Sequence, residues 1–414
     1  IIIWFDPGVT GMRQSLSIVI LAAILSASIS CGEIEDNGAA ALAVAGLADD
    51  TVYPASREFY LGLTPFPFDI SSESKVEWVY EKIVTDADMI VHHFDNGIPW
   101  DDALADSYPY TTRIMDDWSF RKSHIPAGHK LYVAITPINS MRDGLAPLWN
   151  ETGDNQPLTG TDWETRAFDD ANVKTAYLNY CRRVIKYFDP DYIAVGIESN
   201  LVMANIKPQW AAYLDLQDGV YETLKDEYPD LPIFVTLTGI DLVEGYSNAD
   251  HTDQMAALAD IMPYTDYYAI SLHPFFAEQP GAELPADMID TISALNTGAL
   301  PACITETSFP AERTVMTAYD PVITLAGSAA KQKEYFQFLL AQSQEHHLLF
   351  VVNFLVRDYD TLWAQMGYPE DILKAWRDTG FYNGSGFARP ALRVWRGYLG
   401  LPVVRELLWN EPSR

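Results

Sequence analysis

Two glutamates each close an apolar run in this sequence. Glu198 follows Tyr192-Ile193-Ala194-Val195-Gly196-Ile197, and Glu306 follows Ala302-Cys303-Ile304-Thr305. A carboxylate at the end of a buried strand is unfavourable unless it is hydrogen-bonded or engaged in chemistry. Two such groups converging on one cavity suit cleavage at an acetal carbon: one carboxylate attacks and the other protonates the departing oxygen. Each glutamate alone reads as readily as a salt-bridged strand end. It is their matching positions that favour the chemical reading.

Other residues at the ends of apolar runs are candidate substrate contacts: His93, Asp95, Trp100, Asn139, Asn200, His273, Asn353 and Trp363. His92 and His93 are neighbours on a strand, so only one can face a central cavity. With Asp95 they raise a metal site as an alternative, but no third convergent ligand supports it, and no metal is expected. Trp100, Trp149, Trp163 and Trp363 carry flat apolar bodies with a polar edge, which suits sugar faces, although loop packing is the commoner use of any one of them. Trp376 and Trp395 read as core or helix packing. Arg142 and Arg357 are candidate anion holders. His346-His347 reads as a helix end.

The elements that must position these groups alternate in type. Apolar, β-rich runs lie at Phe59–Leu63, Met89–His93, Leu131–Thr136, Tyr192–Gly196, Ile233–Leu237, Tyr267–Leu272, Ala302–Thr305 and Leu348–Phe354. Amphipathic stretches separate them, at Ser74–Asp86, Asn172–Tyr187, Gln209–Tyr228, Thr252–Met262, Ala286–Leu295 and Ser328–His346, with Gly367–Trp395 closing the series. Eight strands with crossover helices predict an α/β fold, a (β/α)8 TIM barrel in one catalytic domain over 57–414. No GxGxxG or GxxxxGK[ST] pattern follows any strand, which removes the usual reason for a nucleotide-binding sheet, and no cofactor is expected. In such barrels the chemistry sits at the C-terminal strand ends. Residues 96–124 and 142–164 read as long loops able to wall a groove, which favours endo action on a chain.

The stretches YIAVGIESN and PACITETSFP resemble the acid/base and nucleophile strands of the retaining (β/α)8 glycoside hydrolases of clan A. YYAISLHPFF is similar to the sixth-strand motif of the endo-β-1,4-galactanase family. The resemblance spans about residues 190–310. It implies that Glu198 is the acid/base, that Glu306 is the nucleophile, and that a β-linked glycan of plants or algae is cleaved by double displacement with retention. The sequence departs from that pattern in three places. Ile197 stands where clan A carries an Asn that bonds the sugar 2-hydroxyl, so that contact falls to Asn200 or Asn139 or is missing. His273 replaces a tyrosine that supports the nucleophile. The customary Trp of the eighth strand is absent, leaving Phe354 or Trp363 to take its role. The rival readings are a non-catalytic carbohydrate-binding lipoprotein on the same barrel, a transglycosylase, and a metal-dependent hydrolase.

Composition narrows the partners. With 27 Lys+Arg against 57 Asp+Glu the formal net charge is −30, so nucleic acid is excluded as a partner and anionic lipid surfaces repel the chain. A monomer acting on carbohydrate is expected. From Met12 the sequence reads MRQSLSIVILAAILSASISC, one Arg and a short apolar run followed by small residues and Cys31. That is the layout of a secretory signal of the lipoprotein kind. It divides the chain into 1–31, removed or lipidated at Cys31, a tether over 32–56, and the barrel. Export with a lipid anchor is the expectation, tested by the mass of the mature N-terminus. Cys181 and Cys303 fall on a helix and a strand of different sectors and are expected to remain thiols.

Overall fold

The computed structural model describes residues 51–277, 287–317, 322–368 and 372–404. The expected signal, Cys31 and most of the tether lie outside the described residues.

Eight parallel barrel strands follow one another around a ring. They are Tyr60–Leu63, Met89–Phe94, Lys130–Ile135, Tyr192–Ala194, a fifth strand in two pieces (Ile233–Phe234 and Thr236–Thr238), Tyr268–Leu272, Ala302–Thr307 and Phe350–Asn353. The fifth strand closes the barrel. Ile233–Phe234 pairs with the fourth strand and Thr236–Thr238 with the sixth, so the sheet order begins and ends on the two sides of Val235. All eight expected strands are present, their ends shifted by two residues or fewer.

Strand alternation divides the core in two. Met89, Val91, Tyr132, Ala134, Tyr192, Ala194, Ile197, Phe234, Ala269, Cys303, Phe350 and Val352 fill the barrel interior. The alternate residues, such as Ile90, Val133, Ile193, Ile233 and Val351, pack outward against the helices. Each aliphatic or aromatic side chain so buried contributes about 1.5–3 kcal/mol, which together must offset the entropy of ordering the chain.

The helix Ala171–Phe188 shows why the periodic stretches fold as expected. Asp170 accepts a hydrogen bond from Asn172 N at 2.8 Å at the N-cap. Val173, Ala176, Tyr177, Tyr180, Val184 and Phe188 form its buried face. Cys181 lies on this outer layer and Cys303 inside the barrel, both buried as free thiols.

Two expectations need correction. Residues 96–124 are not one long loop, because they carry helices Trp100–Leu104 and Thr112–Ser123. The second of these escapes a hydrophobicity pattern because its core-facing side holds Asp117 and Arg121, an i,i+4 pair at 2.8 Å that is almost wholly buried. Within 142–164 a hairpin forms from Leu148–Asn150 and Gly153–Gln156. The tether boundary also moves. Tyr53 packs edge-on against Tyr398, with ring centroids 5.4 Å apart, and a Cβ on Gly397 would collide with the Tyr53 ring at 2.2 Å. The chain is therefore seated on the last helix, Pro390–Leu399, before residue 57.

Candidate active site

Glu306 is turned into the barrel mouth by a break in the strand. Cys303 faces the interior and Ile304 the helices, so strict alternation would send Glu306 outward with Ile304. The pairing register with the sixth strand shifts between Ile304 and Glu306, a bulge that reverses this. Thr307 then points outward, where its hydroxyl meets Tyr335 Oη and donates to Leu272 O at 2.7 Å.

Two imidazoles flank the Glu306 carboxylate. His273 Nε2 lies 3.1 Å from Oε1 and His93 Nδ1 3.4 Å from Oε2. Trp376 Nε1 donates to His273 Nδ1 at 3.3 Å, and an indole N–H can only donate. Nδ1 is therefore the acceptor, and the Nε2 proton is directed at Glu306. Ser308 Oγ, 3.1 Å from Nδ1, holds the same edge of the ring. Burial alone would raise the Glu306 pKa, but the His273 hydrogen bond, with His93 and Arg142 nearby, lowers it below its ordinary 4.5. Burial in turn lowers the pKa of His93 against the pull of Glu306 and Asp95.

Glu198 is placed differently. Val195 packs outward while Ile197 lies inside the barrel, so the alternation slips at Gly196. A Cβ on Gly196 would stand 2.7 Å from both Ser199 Oγ and Tyr213 Oη, so the backbone passes there only without a side chain. Glu198 itself has φ of +52°, a left-handed conformation that is strained for a glutamate by about 1–3 kcal/mol. Its N–H donates to Thr236 Oγ1 at 2.8 Å, which pins the strained residue to the fifth strand. Arg142 donates to Glu198 Oε2 through Nε at 3.3 Å and approaches it through Nη2 at 3.2 Å. Burial raises the Glu198 pKa above its ordinary 4.5. Arg142 opposes that shift, and Glu306 and Asp95 add to it.

The expected contact residues divide. His93 and Asp95 reach the mouth, whereas His92 is fully buried on the outer face among Tyr80, Phe94 and Phe188, so the two histidines and Asp95 do not form a metal set. Asn139 bonds Asp143 twice, at 2.7 and 3.0 Å, and builds the turn that carries Arg142. Asn200 is a correction. Its amide bonds Gln254 at 2.7 Å and Thr238 N at 2.8 Å, tying the helix Asn200–Ile206 to the fifth strand, so it is not free to replace the missing asparagine. Asn353 is also buried and bonds Leu355 O in its own turn.

Trp100 and Trp363 are corrected as well. Trp100 is fully buried, stacks on Trp163 at 5.2 Å and donates to Ala146 O, and Trp363 is buried beside Tyr359. Arg357 lies over the Phe68 ring at 3.7 Å, away from the two glutamates' partners. The residue that sequence reasoning missed is Trp376. Half-buried, it stands edge-on to His273 and beside Phe276, 23 residues beyond the eighth strand, too far along the chain for a strand-end search.

No protein-family model matches the chain, and no curated protein matches it in sequence. Solved structures do share its fold. A GH5_18 protein from Streptomyces cattleya, in complex with GlcNAc, aligns over 84% of this chain and 82% of its own, with a TM-score of 0.55 at 14% identity. The GH53 catalytic domain of Ignisphaera aggregans aligns over 88% and 98%, at 0.51 and 14%. An exo-β-1,4-mannosidase from an Opitutaceae bacterium aligns over 85% and 61%, at 0.54 and 11%. At these identities the likeness is one of fold alone, a TIM barrel.

Proposed function

We propose that this chain is a retaining β-glycoside hydrolase in which Glu306 is the nucleophile and Glu198 the acid/base. The observation that carries the reading is the different setting of two glutamates at one barrel mouth, Glu306 hydrogen-bonded by His273, which favours its ionised form, and Glu198 held by Arg142 and pushed toward protonation by burial. In double displacement the ionised Glu306 attacks the anomeric carbon while protonated Glu198 gives its proton to the departing oxygen. Glu198, now a base, then takes a proton from the water that releases the sugar. Both groups must be in these states at once, which confines activity to pH values between the two pKa values. Protonation of Glu306 ends it on the acid side and ionisation of Glu198 on the alkaline side.

The substrate class is a β-linked oligosaccharide or polysaccharide. The 96–124 segment carries two helices that each bury one face, so it is not the long loop that would favour endo action, and product length is what decides between endo and exo cleavage. A non-catalytic carbohydrate-binding barrel is the second reading. It is favoured by Ile197, whose apolar side chain lies in the barrel interior. One experiment separates the two: purified protein is screened against β-glucans, galactans and mannans, then treated with the 2-deoxy-2-fluoro glycoside of the best substrate. A sugar adduct on the peptide carrying Glu306 is expected. Binding without products or adduct would leave the non-catalytic reading.

A further inference from the structure

The mouth contains a charged group that the two-carboxylate scheme does not use. Arg142 is 6% exposed, and four of its five N–H donors make hydrogen bonds while the fifth faces Glu198 within ion-pair distance. Nη1 donates to Asp95 Oδ1 at 3.1 Å and to Asn139 O at 3.0 Å. Nη2 donates to Asp95 Oδ2 at 3.2 Å and faces Glu198 Oε2 at 3.2 Å, and Nε donates to the same Glu198 oxygen at 3.3 Å. A guanidinium so saturated has nothing left for a substrate anion. Its backbone is also constrained: Arg142 has φ of +56° and its N–H bonds Asn139 O. The residues at both ends of the Arg142–Glu198 contact therefore sit in the left-handed region, strain that persists only where the surroundings enforce it.

We propose that Asp95 and Arg142 form a positioning pair for Glu198, in which Asp95 neutralises the guanidinium so that Arg142 can fix the Glu198 carboxyl without fixing its charge. The inference rests on the assignment of Glu198 as acid/base. An arginine N–H can only donate, so Oε2, which takes both arginine contacts, must be the unprotonated oxygen of the acid form. The proton then resides on Oε1, the oxygen left to face the scissile bond. A lone arginine at this distance would hold Glu198 ionised and spoil it as an acid. The bidentate Asp95 contact removes most of that effect while keeping the geometry. The other groups acting on Glu198, namely Glu306 and His273, belong to the opposite sector and are untouched by changes at Asp95 or Arg142.

Two isosteric or near-isosteric changes should move Glu198 in opposite directions. Asp95→Asn exposes the arginine charge and should lower the Glu198 titration midpoint by about one pH unit, and Arg142→Gln should raise it by a similar amount. The direct readout is carboxyl-13C NMR of glutamate-labelled protein, with the Glu198 signal assigned by its loss in Glu198→Gln. It does not depend on turnover, so a chain without hydrolase activity would refute the proposed function and still decide this pairing. In an active enzyme, the alkaline limb of the kcat/KM profile should follow the same shifts. Above the wild-type midpoint, Asp95→Asn should slow glycosides with poor leaving groups by up to about tenfold while largely sparing dinitrophenyl glycosides. Unchanged midpoints in both variants, or shifts of the same sign, would overturn the proposal, as would a pure KM effect of Asp95→Asn, which would make Asp95 a substrate contact. Arg142→Lys, which keeps the charge and loses the fork, should leave the midpoint near wild type and lower kcat. A Glu198 midpoint moved as far as in Arg142→Gln would count against the pairing.

Discussion

The two sectors of the barrel mouth hold the same kind of side chain by different means. On the Glu306 side the partners are imidazole rings: His273, held in place by Trp376 and Ser308, and His93, whose pKa burial lowers. On the Glu198 side the partner is a full positive charge, itself cancelled by Asp95. An N–H donor bonds the ionised carboxylate more strongly than the acid, so it favours one charge state. A compensated ion pair orients the carboxyl and leaves its charge free to change. A nucleophile needs the first arrangement and an acid/base the second.

The sharpest break of this comparison comes from removing each carboxylate in turn. Glu306→Ala should abolish turnover of every glycoside, because no covalent intermediate can form. Glu198→Ala should still form the intermediate from an aryl glycoside whose leaving group needs no proton, while hydrolysis of a natural glycan falls by about 10²–10⁴-fold. Added azide should rescue the Glu198 variant and give a β-glycosyl azide, read by NMR of the product. An α-azide from that variant would mean a single inversion, and a β-azide formed only by the Glu306 variant would exchange the two roles.

The sectors also differ in how far the sequence disclosed them. Both glutamates, His93, Asp95 and His273 lie within two residues of an apolar run, and strand ends of a parallel barrel are where such a search looks. What the runs did not disclose is how each glutamate is aimed. The bulge before Glu306 changes a side chain's face without changing its residue type, so alternation read straight through would misplace Glu306, while the slip at Gly196 turns Ile197 inward and leaves Glu198 to be aimed by its left-handed backbone. Arg142 was visible as a cation, but its role depends on a turn built by Asn139 and on a partner 47 residues away. The tryptophans misled for a related reason. Trp100 and Trp363 carry the chemistry of a sugar platform, but the outer core claims their surfaces. Trp376, which does reach the mouth, stands well beyond the strand it serves.

His273 provides a finer cut between the sectors. His273→Ala removes the donor to Glu306 Oε1 and leaves the carboxylate buried beside His93 alone. The Glu306 pKa, which that hydrogen bond helps to lower against burial, should rise, and the acid limb of the kcat/KM profile should move to higher pH. The alkaline limb, set by Glu198, should move far less. The loss in kcat is expected to be on the order of 100-fold, with KM changed little, since the group acts on the reacting carboxylate. An effect confined to KM would reassign His273 to substrate contact. Trp376→Phe should reproduce part of the acid-limb shift, because it frees Nδ1 and with it the tautomer.

The smallest effect belongs to the histidine next to His93. His92 faces the outer layer, fully buried, and burial with the nearby Arg121 charge depresses its pKa well below the ordinary 6.5. The folded chain therefore holds it neutral while the unfolded chain takes up a proton near pH 6.5. Its contribution to stability is complete above that pH and is lost as the pH falls, by up to about 1.4 kcal/mol per unit while only the unfolded form is protonated. His92→Phe should remove that slope. Urea unfolding at pH 7.5, 6.5 and 5.5 should show the wild type losing stability relative to the variant only in the lower interval, whatever the absolute effect of the new ring on packing. The limbs of the activity profile should stay in place, because His92 contacts neither glutamate. A parallel loss in both proteins would move the acid sensitivity to other groups, with His93 the first to examine. A shifted activity limb would mean that the outer layer and the mouth are coupled through the second strand.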